Sequence, residues 1–224
     1  MTRVQHAQAY PFDQRDTGYI YRDGIVHEGP FELEGRIAVA AAGSNGSPSQ
    51  LKRKFGECPE SIPVTTALIR NHAVVYSAHL TRYGSLPAAL WPVAGAIVGV
   101  AVTWLNPDQL VQMHETEALG DNYDFAAFAS DDAVLEPPAK PTKTHYYRSV
   151  RGPLLHQRQP IRLAEIWTGN SALPAMTQPA ALRHVHRKLE TSLAFDEFLE
   201  NIITDPAYRR DCIRRMQAFD QSKG

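Results

Sequence analysis

The chain has 224 residues, 43% of them hydrophobic and 21% charged, with a formal net charge of −1. This suits one domain with appendages or a modest two-domain globular protein, and so even a charge balance argues against a protein built to coat nucleic acid. Two cysteines, Cys58 and Cys212, exclude a disulfide framework and the familiar metal-site spacings, so a reducing, cytoplasmic setting is expected.

Residues 1–16 lack the basic-then-apolar order of a signal peptide. A hairpin signal follows, with residues 18–21 and 25–26 flanking Arg22-Asp23-Gly24. Residues 36–41 read as a buried strand, apolar without helical periodicity. That strand breaks at Gly43, Asn45 and Gly46, residue types that accept positive φ. Ser47 as N-cap, Pro48 at N1 and Gln50 at N3 of a capping box then start a helix to about Phe55. Such a turn aims consecutive backbone N–H groups into one small space, suited to an anion or a developing oxyanion, unless it is an ordinary turn.

Residues 58–63 read as loop and 73–80 as a strand. An irregular region around Gly84, Pro87 and Pro92 leads to a strand at 96–104. Residues 83–105 carry no charge and are long enough to span a membrane. Pro87, Pro92, Gly95 and Gly99 punctuate the run, however, and its valine-rich half reads as buried strand, so no membrane partner is expected. Asn106 as N-cap, Pro107 at N1 and Asp108 in the first turn open a helix to about Ala118, with Gly120 as terminator. Residues 123–129 read as strand, 136–141 as an extended proline-rich linker, and 146–150 and 161–167 as strands. Helices follow at 179–189, at 195–203 and from Asp205-Pro206 to about Phe219.

At about 100° per residue, Leu110, Met113 and Glu117 share the face that packs on the sheet, while Glu115 points away. A carboxylate on a buried face is unusual unless paired or used. The helix end and desolvation both favour its protonated form, which would bring Glu117 toward proton exchange near neutrality. The plainer reading is that Glu117 reaches solvent or pairs with an arginine.

Ala42-Gly43-Ser44-Asn45, then Ser47-Pro48-Ser49-Gln50-Leu51 and Arg53, resembles the Tyr-Gly-Ser-Asn-Leu substrate loop of the γ-glutamyl cyclotransferase-like family. A valine-rich strand with an embedded glycine at 96–103, an apolar helix with Leu110 and Met113 ending at Glu117, and Tyr123 a few residues on match that family's order. The resemblance covers about 37–128, with a weaker echo in 198–216. It implies an α+β fold, a mixed sheet curling into a small barrel with C-terminal helices. The implied units are an N-terminal extension with the hairpin (1–35), the cyclotransferase-like core (36–170) and a helical segment packing on it (171–224).

The activity it implies is release of 5-oxoproline from a small γ-glutamyl amine or peptide. The α-amine attacks its own γ-carbonyl, and one carboxyl moves the proton. Glu117 is the implied catalytic residue. Backbone groups of Ala42, Gly43, Ser44, Asn45 and Gly46, together with Tyr123, would bind substrate. Arg82 offers a cation for a carboxylate if it lines the pocket, and is otherwise a surface-loop arginine. No cofactor and no metal is implied, and the partner is a small γ-glutamyl substrate; the C-terminal helices would cap the core or form a homodimer contact.

The chain departs from the pattern at Ala42, where the family has tyrosine, at Gly46, where it has leucine or methionine, and at Ala118, where a glycine commonly follows the glutamate. Losing the loop tyrosine removes a hydroxyl and a pocket wall, which motivates the alternative of a non-catalytic module on the same fold that binds a small carboxylate or a protein. Other motifs fall away. His184 and His186 would point about 200° apart on a helix. His114-Glu115 lacks a second histidine, the 43–46 turn lacks the Gly-Lys-Ser/Thr ending, and no Gly-x-Ser-x-Gly elbow is present. Arg209-Arg210 and Arg214-Arg215 read as a solvated helix face.

Overall fold

The computed structural model describes residues 1–129, 132–135 and 143–221. Helix α1 (Arg3–Gln8) precedes the hairpin β1 (Tyr19–Arg22) and β2 (Ile25–His27), then β3 (Ile37–Ala41) and α2 (Pro48–Phe55). Two long strands follow, β4 (Ile62–Tyr76) and β5 (Ala88–Leu105), then α3 (Pro107–Thr116), β6 (Tyr123–Ala127), β7 (Ala133–Leu135) and β8 (Thr144–Ser149). The chain ends in α4 (Gln178–Lys188), α5 (Phe195–Thr204) and α6 (Pro206–Gln221). The fold is mixed α+β, with one large mixed sheet and several helices.

The sheet's spine runs β4–β5–β3–β8–β6, antiparallel except where β3 and β8 run parallel. The outer edge of β4 is covered in turn by β1, β7 and the short segment Arg162–Leu163, which leaves little unpaired backbone there. Because those segments, rather than β6, occupy that edge, the described strand pairings do not close a ring, in contrast to the barrel expected from the sequence. The sheet nevertheless curls: the His72 ring of β4 meets Phe128, which follows β6, edge-on at 5.4 Å between centroids, and Tyr146 of β8 at 6.3 Å.

Both faces of β3 are buried. Ala38 and Ala40 enter one core with Val98, Val100, Val102 and, from the C-terminal helices, Leu182, Phe198 and Met216; Val39 enters a second with Leu51, Phe55, Leu105 and Met113. Alternate side chains of one strand serve opposite faces, so the run carries no polar face, as its sequence indicated.

Residues 62–72, read in part as loop, form the first half of β4, and the supposed irregular region at 84–92 largely becomes the start of β5. The register shifts between Arg70 and His72, where Asn71 (φ 56°) and Gly95 (φ 76°) adopt left-handed backbone and the Gly95 amide donates to Asn71 Oδ1 at 3.1 Å. His72 is paired with Pro92, so the proline lies beside the irregularity, where a missing amide costs least. The uncharged 83–105 run is thus mostly a sheet strand; among the described residues no helix is long and apolar enough to cross a membrane. The 161–167 strand is reduced to Arg162–Leu163, and Thr168–Gly169 pairs separately with β5. The 136–141 linker lies outside the described residues.

Candidate functional site

The loop after β3 forms a single 3-10 turn, Ser44–Gly46, and Ser47 then caps α2, its Oγ accepting from the Gln50 amide at 3.3 Å. The reciprocal half of the expected capping box does not form, because Gln50 Oε1 accepts from Arg53 Nε at 2.6 Å. The glycines are required for space rather than for positive φ. A Cβ on Gly43 would lie 1.8 Å from the Tyr10 hydroxyl oxygen, and one on Gly46 would lie 2.4 Å from Ala101 Cβ. Gly43 itself has φ −149°.

Glu117 is the C-cap of α3, a helix begun by a full capping box in which Asn106 and Gln109 exchange hydrogen bonds of 2.8 and 3.0 Å. Met113 is fully buried on the same face. The sequence left the Glu117 carboxylate in an apolar seam at the negative end of a helix; the structure instead places the Lys54 ammonium, from the last turn of α2, against it. Both side chains are nearly enclosed, Lys54 4% and Glu117 12% exposed. Lys54 also meets Thr116 Oγ1 at 2.7 Å and Met113 Sδ at 3.2 Å. Burial lowers the Lys54 pKa, while Glu117 opposes that shift and Arg53 adds to it.

One oxygen of Glu117 takes every one of these contacts. Lys54 Nζ, Asn45 Nδ2 at 3.1 Å and Thr116 Oγ1 at 3.4 Å all end on Oε1. None of these hydrogen bonds reaches Oε2.

Glu117 borders a cavity of about 460 Å³ that is also lined by Ala42, Gly43, Ser44, Asn45, Tyr123 and Arg82. Arg82 is exposed, so it stands at the rim. Gly46 does not line the cavity; its carbonyl accepts from the Tyr19 hydroxyl at 2.7 Å. Tyr83, next to Arg82 in a segment that the sequence offered as a pocket wall, also lines it, and several lining residues were not singled out as such: Tyr10 from the N-terminal segment, Lys54, His79, Tyr147, and Arg209 from α6. Arg209 was expected on a solvated face. It is half-buried, donates from Nη1 to the Ile202 carbonyl at 2.6 Å, and has its pKa lowered by that burial and by Arg210. Lys54 lies in the last turn of α2, where a cation suits the helix dipole, but Lys52 and Arg53 share that turn and the position does not distinguish it.

Four phenols surround the carboxylate. Burial raises the pKa values of Tyr10, Tyr83, Tyr123 and Tyr147, and the charge of Glu117 raises each further, so all four remain neutral hydroxyls. His79 forms part of the wall, its Nδ1 2.9 Å from Ser77 Oγ, which lies 2.6 Å from Ser149 Oγ. Burial, helped by Arg151, lowers the His79 pKa to about 3, so this imidazole is neutral in the fold.

The sign of that shift predicts acid sensitivity. Between pH 6.5 and 3 the unfolded chain binds a proton at His79 that the folded chain refuses, so stability is lost as pH falls through this window. From pH 6.5 to 5 the loss from this residue alone is about 1.5 kcal/mol. Urea titrations at the two pH values should show that loss shrinking by this amount in His79→Asn; an unchanged pH dependence would mean that His79 is not buried neutral.

Among the described residues no group of three or more His, Cys, Asp or Glu side chains is placed to hold a metal ion. His184 and His186 do not converge: their Nε2 atoms lie against the Leu155 and Leu193 carbonyls at 3.3 and 2.9 Å.

The fold and site thus define a mixed α+β protein with a cavity bounded by a glycine-containing turn, an ion-paired carboxylate and several neutral phenols. No family model and no curated protein matches the chain. Among solved structures it is similar to two Arabidopsis thaliana proteins determined in solution. The first is 18% identical, with a TM-score of 0.40, over 53% of this chain and 72% of that one. The second is 13% identical, with a TM-score of 0.36, over 55% of this chain and 67% of that one. A gamma-glutamyl cyclotransferase is similar at 12% identity and a TM-score of 0.40, over 80% of this chain and 99% of that one.

Proposed function

We propose that the chain is a γ-glutamyl cyclotransferase-like enzyme that releases 5-oxoproline from a small γ-glutamyl amine or peptide. The observation that carries this reading is that the Glu117 carboxylate and the 43–45 turn border one cavity, with Glu117 held, among the described residues, through Oε1. Lys54 and Asn45 fix the orientation of the carboxylate, and Oε2 is left to receive a proton from the substrate's α-ammonium. The freed amine then attacks the γ-carbonyl of the same molecule. Attack within one bound molecule needs only the folded conformer to be held, which supplies much of the rate advantage.

As the new C–N bond forms, negative charge develops on the γ-carbonyl oxygen. Amides of the turn and neighbouring phenols are the donors available to stabilise it. Glu117 then returns its proton to the departing nitrogen as the original amide bond breaks. The ring nitrogen gives up its second proton, by way of solvent, to the released amine, which leaves Glu117 a carboxylate, the amine as its ammonium and the ring as the neutral lactam. Lys54 sets the resting charge of the pair, so the substrate ammonium has to compete with it for the carboxylate.

That competition is also the observation that favours a second reading. If Lys54 holds the carboxylate permanently, the cavity would bind a small carboxylate without turning it over. Incubating the full chain with γ-glutamyl amines and γ-glutamyl dipeptides and measuring 5-oxoproline separates the two. Release above the uncatalysed rate is the expected result; calorimetric binding with no release would select the non-catalytic module.

A further inference from the structure

The N-terminal segment contributes a side chain to the cavity that its place outside the core pattern does not suggest. Tyr10 is 3% exposed, and its hydroxyl oxygen lies where a Cβ of Gly43 would sit. The Ala88 amide donates to that oxygen at 2.8 Å. The Ser44 amide also acts on it as a hydrogen-bond donor, and burial keeps the phenol protonated. A phenol oxygen can accept at its lone pairs and donate its single proton. With backbone amides already on its acceptor side, what remains is the O–H, and no acceptor for that proton appears among the described residues. The phenol nevertheless lines the cavity beside Gly43, Ser44, Asn45 and Glu117.

The segment carrying Tyr10 is fastened on both sides. Upstream, Ser85 Oγ donates to the Ala7 carbonyl at 2.8 Å. Downstream, the Asp13 carboxylate accepts from the Ser49 amide at 3.1 Å and from the Ser49 hydroxyl, at the start of α2. Phe12 meets the Tyr10 ring edge-on at 5.7 Å and stacks on His6 at 4.7 Å. A side chain so restrained, whose O–H meets no acceptor among the described residues, is preorganised for an acceptor atom on whatever occupies the cavity.

We propose that Tyr10 is a ligand-binding residue, whose hydroxyl donates to a carboxylate or carbonyl oxygen of the bound small molecule. The N-terminal segment is therefore part of the site, and it supplies a hydroxyl that Ala42 at the head of the turn lacks. Recognition of an acceptor oxygen by Tyr10 stands apart from turnover, although naming the ligand as a γ-glutamyl compound or its product rests on the function proposed above.

The test uses the full chain and Tyr10→Phe, which keeps the ring and removes only the hydroxyl. Calorimetry with 5-oxoproline and with L-glutamate should show about tenfold weaker binding in Tyr10→Phe, and in the 5-oxoproline release assay KM should rise by a similar factor with a smaller change in kcat. Incorporating 3-fluorotyrosine at position 10, a stronger donor of the same shape, should restore affinity. Unchanged affinity and KM in Tyr10→Phe would overturn the proposal, as would a loss that 3-fluorotyrosine does not restore, which would assign the effect to packing. If the wild type releases no 5-oxoproline but binds either probe in a Tyr10-dependent manner, the cyclisation reading fails and the Tyr10 assignment stands. If neither probe binds the wild type, both are overturned.

Discussion

Glu117→Gln should reduce 5-oxoproline release at least a thousandfold and also lower the unfolding free energy by about 3 kcal/mol. In the proposed mechanism the kinetic effect follows from removing the group that would both take and return the proton, since general acid–base contributions are typically about 10²–10⁴-fold. The stability effect follows from the partner left behind. Lys54 is 4% exposed, and a glutamine amide does not compensate its buried charge. Breaking a buried pair from one side costs about 3–5 kcal/mol, whereas replacing both members with uncharged residues can be close to neutral.

The double variant Lys54→Met/Glu117→Gln therefore separates the two effects. Methionine keeps the length of the chain beside Met113 and removes the stranded charge, so urea denaturation should show most of the lost stability recovered while release stays abolished. If the double variant were no more stable than Glu117→Gln, the ion pair would not be the source of the destabilisation. Release retained in Glu117→Gln would remove Glu117 from the mechanism.

Local grammar was legible in the sequence. Ser47 and Pro48 start α2 and Asn106 and Pro107 start α3 where expected, because caps are set by residues within three or four positions of each other. The Asp23-Gly24 turn does join β1 to β2, since a two-residue hairpin is fixed by its own backbone. The face of α3 that buries Met113 and turns Glu117 inward was readable from helical periodicity. What failed depends on distance along the chain. The length of β4 and β5 was missed because Asn71, Gly95 and Pro92 look like breakers in isolation, and only their mutual placement across the ladder turns them into a bulge within a continuous hairpin.

The site was half legible for the same reason. Glu117 and the turn were found separately, but Lys54 lies 63 residues from its partner, and nothing local marks it as a counter-ion. Gly43 and Gly46 were noticed for the wrong property. Their requirement is the absence of a side chain where Tyr10 and Ala101 pass, and that crowding has no signature in neighbouring residues. The order of the described strand pairings is also a matter of remote competition, decided by which segments reach the outer edge of β4.

Gly43→Ala turns that crowding into a measurement. A methyl at this position would lie 1.8 Å from the Tyr10 oxygen, 2.9 Å from its Cζ and 3.3 Å from Ala88 Cβ, so no small rotation of the phenol accommodates it. The buried ring has to leave, taking with it the hydrogen bond from Ala88, and the expected loss is about 3 kcal/mol, comparable to emptying a core aromatic site. Because the cost arises between two residues, it should not add to a second change that removes the ring. Gly43→Ala introduced into Tyr10→Ala should cost under about 1 kcal/mol more, whereas in Tyr10→Phe, whose ring still reaches the Cζ position, most of the penalty should persist. Thermal or urea unfolding of these variants beside the wild type gives the coupling directly. Additive losses, or a Gly43→Ala protein as stable as wild type, would mean that Tyr10 does not occupy the turn. The hydroxyl assigned to the cavity would then have to come from elsewhere.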